Sequence, residues 1–110
     1  MPSAHTHSRY ARDAAKLLGE RIRIARRQRR WSQRELAERA GIAVPTLRKV
    51  ENGDMGVTLG TAFDVAALAG VPLFHDEAGR LSADLDLAAA RGALLPQRVR
   101  PHGRPVRDDF

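Results

Sequence analysis

Residues 32–53, SQRELAERAGIAVPTLRKVENG, constrain the fold more than any other part of this sequence. Ser32 and Glu35 have the spacing of a capping box, in which each side chain satisfies the other residue's free backbone amide at the start of a helix. Gly41 predicts the end of that helix, because glycine tolerates the positive φ that is common at a helix C terminus. The first half of the segment therefore predicts a short helix that ends in a tight turn.

A second short helix is predicted over residues 44–52. Pro45 is acceptable there only because it lies in the first turn, where its missing amide has no partner within the helix. The apolar positions Leu47 and Val50 face inward, and the basic residues between them face outward. The segment as a whole therefore predicts two short helices that pack around a tight turn.

Three further helices are predicted by apolar residues that recur at intervals of three and four. The first covers about residues 12–30 and the last about residues 77–91. Between them, a helix begins after Thr58 as N-cap and ends at Gly70, and residues 71–74 are extended or form a short strand. The expected fold is all-α with five helices.

The length of 110 residues allows one small domain with one core, and both ends of the chain are polar. We predict a disordered N-terminal tail over residues 1–10, a folded domain over residues 11–93 and a basic C-terminal tail over residues 94–110. No secretory signal or membrane-spanning stretch is recognisable, so we expect no membrane association and a cytoplasmic location.

Nothing in the sequence is typical of an enzyme. The chain has no cysteine, which excludes disulfides and thiolate metal sites, and its four histidines are scattered. It also lacks a Gly-rich phosphate loop, a nucleophile-elbow serine and a cluster of His with carboxylates. We therefore expect no catalytic activity, no metal or other cofactor, and no small-molecule substrate.

Positive charge is concentrated around the two-helix segment. The formal net charge is +6, but residues 21–49 alone hold ten basic residues against Glu35 and Glu38. A surplus of positive charge confined to one segment favours binding to a polyanionic partner over non-specific binding. A compact pair of crossed helices with positive charge is what a protein needs to place a helix in the DNA major groove.

Several of these residues together resemble a known family. Arg26, the SQRELAERAGI run, Thr46-Leu47 and Glu51-Asn52-Gly53 are similar to the XRE/Cro-type helix-turn-helix of phage repressors and many bacterial regulators, over about residues 18–71. The resemblance implies a five-helix, lambda-repressor-like fold. It also implies a sequence-specific repressor that binds double-stranded operator DNA as a homodimer through the helix at residues 44–52.

The resemblance also implies roles for individual residues. Arg26 and Glu51 match a pair that forms a buried ion pair in the family, and Gln33 matches a residue that binds phosphate or reaches a base edge. The arginines that follow Arg26 either contact phosphates or form a solvated face. The residues assigned to DNA contact are Gln33, Arg34, Ala43, Val44, Pro45, Thr46, Arg48, Lys49, Arg27, Arg29 and Arg30.

Val44 and Pro45 depart from the family's pattern, because many relatives carry hydrogen-bonding side chains at these positions. Neither residue has a side-chain donor, and contact with thymine methyl groups discriminates less than a bidentate hydrogen bond. Base contacts would then be made by Thr46, Arg48 and Lys49. The expected operator tolerates A·T pairs, with modest selectivity per monomer.

The second half of the chain is more apolar than one small core requires. Leu73, Phe74, Leu81 and Leu85 are therefore predicted to form the dimer interface, the alternative being that they close the core of the monomer. Residues 71–74 would then also pair across the twofold axis as a short strand.

A narrower resemblance lies outside the helix-turn-helix segment. Residues 71–74, the helix after them and residues 94–100, with the acidic and aromatic end of the chain, resemble HipB-like antitoxins, which partner HipA-like kinase toxins. In this interpretation the tail binds the toxin through Arg98, Arg100 and Phe110. The alternatives are a tail that stays disordered and a free-standing XRE-family regulator without a toxin.

Overall fold

The computed structural model describes residues 6–74 and 78–98. Over these residues the all-α, five-helix prediction is confirmed, no β-strand is found, and residues 71–74 are non-helical, as predicted. The helices are α1 Arg9–Gln28, α2 Gln33–Ala40, α3 Val44–Glu51, α4 Leu59–Ala69 and α5 Ala78–Ala93. The described residues divide into two compact units between Leu73 and Phe74, so α1 to α4 belong to one unit and α5 to the other.

The core of the first unit is built from the inward faces of α1 to α4. Ile22 of α1, Leu36 of α2 and Leu47 of α3 are completely buried there. Ala37 of α2 is also buried, and its small side chain is compatible with a close approach of neighbouring helices. The whole buried cluster is Ile22, Leu36, Ala37, Leu47, Val50, Val65, Ala66, Ala69 and Val71.

The N-terminal boundary of α1 differs from the prediction. The helix begins at Arg9 rather than at residue 12, because the Ser8 side chain accepts a hydrogen bond from the Ala11 amide at 3.1 Å and caps it. Arg9 and Tyr10 are therefore helical, although the sequence places them in a disordered tail. Residues 1–5 of that predicted tail lie outside the described residues.

All four helices of the first unit end in the same hydrogen-bonded motif. In each motif, one backbone amide after the helix donates a hydrogen bond to the carbonyl five residues earlier. The amide of the residue before it donates to the carbonyl three residues earlier. Together these two bonds form the Schellman motif. The residue at the centre of the motif has positive φ: Arg30 (59°), Gly41 (68°), Gly53 (73°) and Gly70 (82°). Three are glycines and one is an arginine. The motif at Arg30 also explains why α1 ends at Gln28 rather than at residue 30.

The second unit is described by α5 and the residues directly after it. Every side chain described from residue 79 to residue 98 is exposed, including Leu85 at 68% and Leu81 at 37%. The helix extends to Ala93, two residues beyond the predicted end. No helix among the described residues is long and apolar enough to cross a bilayer.

Candidate nucleic-acid interface

α3 presents one buried face and one basic, exposed face. Leu47 and Val50 are buried in the core, whereas Arg48 and Lys49 are exposed. The first turn of the helix adds the exposed residues Ala43 and Pro45 and the half-buried residues Val44 and Thr46. Val44 also packs against the core, so the exposed part of the predicted DNA-contact set on this helix is Ala43, Pro45, Arg48 and Lys49.

A buried ion pair joins the last residue of α3 to α1. Arg26 Nε donates to Glu51 Oε2 at 2.6 Å, and Arg26 Nη2 donates to Glu51 Oε1 at 3.1 Å. The two residues are only 7% and 2% exposed. The third guanidinium nitrogen, Nη1, donates to the Trp31 carbonyl at 2.9 Å, in the loop between α1 and α2. This bidentate pair fixes α3 relative to α1 and to the start of α2.

The surroundings of Glu51 keep its carboxyl group ionised. Burial acts to raise the pKa of this group, but hydrogen bonds from Arg26 and Gln33, together with the charges of Arg26 and Arg23, outweigh it. The pKa of Glu51 is consequently held below its ordinary value of 4.5.

This lowered pKa predicts a loss of stability in acid. A carboxyl group with a lower pKa in the folded state stabilises the fold fully above its unfolded-state value, and that contribution is lost as the pH falls through the folded-state value. The free energy of unfolding should therefore decline below about pH 4.5. A Glu51→Gln variant, measured by urea denaturation at each pH, should show a smaller decline. Identical pH profiles for the two proteins would contradict this assignment.

Arg23 belongs to the same polar network, which the sequence did not reveal. Its Nε lies 3.5 Å from Glu51 Oε1, and its Nη2 donates to Asn52 Oδ1 at 2.9 Å. Its Nη1 donates to Glu20 at 2.8 Å. The spacing of three residues between Arg23 and Arg26 puts both side chains on one side of α1. This spacing is the one sequence signal that could have placed Arg23 in the network around Glu51.

Gln33 connects the ion pair to the exposed face of α3. Its Nε2 donates to Glu51 Oε1 at 3.2 Å, and its Oε1 accepts a hydrogen bond from Arg48 Nε at 3.3 Å. The family resemblance implies that Gln33 binds phosphate or reaches a base edge. The structure gives its side chain two partners within the domain, and one of them, Arg48, is a predicted DNA-contact residue.

The three arginines at the end of α1 are placed differently from one another. Arg29 Nε donates to the Ala69 carbonyl at 3.0 Å, at the C terminus of α4. Its guanidinium also lies 5.2 Å from the centre of the Trp31 ring, which Arg39 approaches to 4.3 Å. Arg27 and Arg30 are exposed and have no side-chain hydrogen bond or ion pair to any described residue. These two have the guanidinium groups available for a ligand.

The other predicted site residues are dispersed. Arg34 is exposed and lies 3.5 Å from Glu38 in an ion pair along α2. Leu73 is partly buried and packs against the core of the first unit, whereas Phe74 is 81% exposed. Arg98 is exposed, and Arg100 and Phe110 lie outside the described residues. Within the described part of the chain, no group of three or more His, Asp or Glu side chains is arranged to hold a metal ion.

Comparison with known proteins gives a match for the part of the chain that contains α2, α3 and α4. A family model described as helix-turn-helix matches residues 22–75, which include α2, α3 and α4. No curated protein and no solved structure gives a significant match to the chain. The matched segment begins at the buried Ile22 of α1, so it contains both residues of the buried ion pair. Residues 22–75 of this chain are therefore a helix-turn-helix domain of the XRE type.

Proposed function

We propose that this chain is a transcriptional repressor that binds operator DNA as a homodimer, with α3 in the major groove. The family points to a sequence-specific DNA-binding regulator. The observation that carries the proposal is the exposed basic face of α3, whose last residue is fixed to α1 by the buried pair of Arg26 and Glu51. A rigidly held, positively charged helix of two turns suits insertion into the groove.

Contacts with bases are assigned to Thr46, Arg48 and Lys49 of α3. Ala43, Val44 and Pro45 supply an apolar first turn that suits thymine methyl groups. Contacts with phosphates are assigned to the exposed residues Arg27, Arg30 and Arg34, together with the remaining amide hydrogen of Gln33. Arg29 contributes positive charge beside them while it bonds the end of α4.

The experiment that tests the proposal is selection of preferred sites from random duplexes, followed by affinity measurement at several salt concentrations. We expect a preferred site with twofold symmetry, whose half-sites lie about 34 Å apart. Affinity should fall steeply with salt, because each phosphate contact releases counterions. Binding that is equally strong on all duplexes would contradict the proposal.

Arg30 provides a separate prediction, because it holds a backbone conformation that favours glycine. Replacing it by glycine removes the cost of positive φ for a residue with a side chain, so the Arg30→Gly variant should be more stable by up to about 1 kcal/mol. The same variant loses the guanidinium assigned to phosphate. It should therefore bind the operator more weakly, with the slope of log affinity against log salt reduced by about one.

The control for this prediction is Arg30→Lys, which keeps both the charge and the strained backbone. It should retain the salt slope and gain no stability. Thermal unfolding and fluorescence anisotropy at several salt concentrations measure the two effects. If Arg30→Gly bound the operator with the salt slope of the wild type, Arg30 would have no phosphate contact.

Dimerisation is assigned to Leu81 and Leu85 of α5, with Leu73 and Phe74. The exposed positions Leu81 and Leu85 are four residues apart on the helix and so share one side, which supports a partner surface there. Sedimentation of a Leu85→Asp variant should show monomers. Leu87→Asp is the matched control, because Leu87 is exposed on another side of the same helix.

The finer proposal is an antitoxin for a HipA-like kinase toxin. It is supported by the resemblance of residues 71–74 and 94–100 to HipB-like antitoxins and by the exposed apolar side chains of α5. Arg98, Arg100 and Phe110 are assigned to toxin binding. Co-expression with the product of the neighbouring reading frame tests this role. Co-purification with a kinase-like protein supports the antitoxin, and a neighbour that is not kinase-like favours a free-standing regulator.

A further inference from the structure

The orientation of the Gln33 side-chain amide is fixed by its neighbour Glu51. An ionised carboxylate only accepts hydrogen bonds, and Glu51 is paired in bidentate fashion with Arg26. Gln33 must therefore turn its amide nitrogen towards Glu51, which it meets at 3.2 Å. The amide oxygen is consequently left to face the opposite direction.

That oxygen lies against Arg48, on the exposed face of α3. It accepts a hydrogen bond from Arg48 Nε at 3.3 Å, and an amide turned the other way would place two donors against each other. Both Nη groups of Arg48 have no bond to any described residue. The guanidinium is thus held through its inner nitrogen, while its outer edge keeps two parallel donors.

Two parallel donors match the O6 and N7 acceptors that guanine presents in the major groove. Thr46 has a single hydroxyl and Lys49 carries a point charge, so neither provides such a fork. Arg48 is therefore the side chain on α3 that is best suited to distinguish one base pair from the other three.

We propose that Arg48 contacts one guanine in each half-site and that Gln33 is a positioning residue, which holds the guanidinium in place for that contact. This inference rests on the proposed function, in which α3 lies in the major groove. It adds one defined G·C pair to an operator that otherwise tolerates A·T pairs opposite the apolar first turn of α3. It also gives the buried pair of Arg26 and Glu51 a role in base selection, through the amide that Glu51 orients.

The test is to measure affinities for the selected operator and for variants with each base pair of the half-site replaced. The full-length wild-type protein should lose roughly 5- to 150-fold in affinity when the contacted guanine is replaced. Arg48→Ala and Arg48→Lys should both abolish the preference at that position, because a lysine cannot form the fork. Gln33→Ala should reduce the preference at the same position and leave the others unchanged.

Arg34→Ala is the matched control, since Arg34 is the exposed neighbour of Gln33 on α2. It should weaken binding to all duplexes equally. Thermal unfolding of each variant monitors folding, and Arg48→Ala gives an answer even if Gln33→Ala fails to fold, because the Arg48 side chain is exposed.

The outcomes separate the two proposals. A wild-type protein without any preferred site would overturn the proposed function. A preferred site that Arg48→Ala recognises unchanged would overturn the guanine contact and leave the proposed function standing. Effects of Arg48→Ala and Gln33→Ala at different base pairs would overturn the positioning role of Gln33.

Discussion

A Glu51→Ala substitution is expected to destabilise the helix-turn-helix domain by about 3–5 kcal/mol, because it leaves the buried guanidinium of Arg26 without its partner. The loss is a large part of the total of about 5–15 kcal/mol that holds a small domain folded. Urea denaturation followed by circular dichroism at neutral pH measures it. The fluorescence of Trp31, the single tryptophan, gives a second signal from beside the ion pair.

The matched control is Glu20→Ala, which removes a different carboxylate from the same network. Glu20 pairs with Arg23 at the surface, so its loss should cost no more than about 1 kcal/mol. Replacing both buried partners, as Arg26→Met with Glu51→Leu, should recover much of the stability that Glu51→Ala loses. If Glu51→Ala proved as mild as Glu20→Ala, the buried pair would not hold α3 to α1.

A Gly19→Ala substitution is the second change with a large expected effect. Alanine favours helices by about 1 kcal/mol over glycine, so a gain would be expected from α1 alone. However, the added Cβ would lie 2.5 Å from the carbonyl oxygens of both Val50 and Glu51. α1 and the end of α3 would have to separate, and we expect a net destabilisation of about 2–3 kcal/mol.

Gly60→Ala tests whether the effect comes from this close approach. Gly60 lies in the first turn of α4, and a Cβ there would meet no atom within 4 Å. That variant should be neutral or slightly more stable than the wild type in thermal unfolding. A Gly19→Ala protein as stable as Gly60→Ala would show that α1 and α3 are not in tight backbone contact.

Much of the first unit follows from local signals in the sequence. The capping box of Ser32 is present in the structure, with the Glu35 amide donating to Ser32 Oγ at 3.0 Å. Gly41 ends α2 with positive φ, and Pro45 lies in the first turn of α3. Capping and turn signals depend on residues a few positions apart, so a single sequence contains them.

The features that the sequence did not reveal depend on contacts between distant segments. Gly19 is one glycine in a helical pattern until the approach of α3 is known. The bond from Arg29 to the Ala69 carbonyl joins residues 40 positions apart, so no local spacing indicates it. The predicted end of α1, at about residue 30, lies beyond the observed end at Gln28, because an arginine is not expected at a position with positive φ.

Some features of the candidate site could likewise be predicted from the sequence, and others could not. The exposed basic face of α3 follows from helical periodicity, and the ion pair of Arg26 and Glu51 follows from the family resemblance. The hydrogen bonds from Glu51 through Gln33 to Arg48 could not be predicted from the sequence, because they depend on how α2 and α3 are placed relative to each other. The assignments of Leu81 and Leu85 to a dimer and of the tail to a toxin remain predictions.

Recognition of DNA sequence by α3 is tested by comparing the affinity of the protein for a selected operator with its affinity for a scrambled duplex at one salt concentration. We predict that the wild type prefers the operator by at least about 10³-fold. We also predict that a variant with Arg48→Ala and Lys49→Ala, both exposed positions, loses most of that preference while its unfolding temperature stays the same. A double variant that keeps the full preference would show that the basic face of α3 does not recognise the DNA sequence.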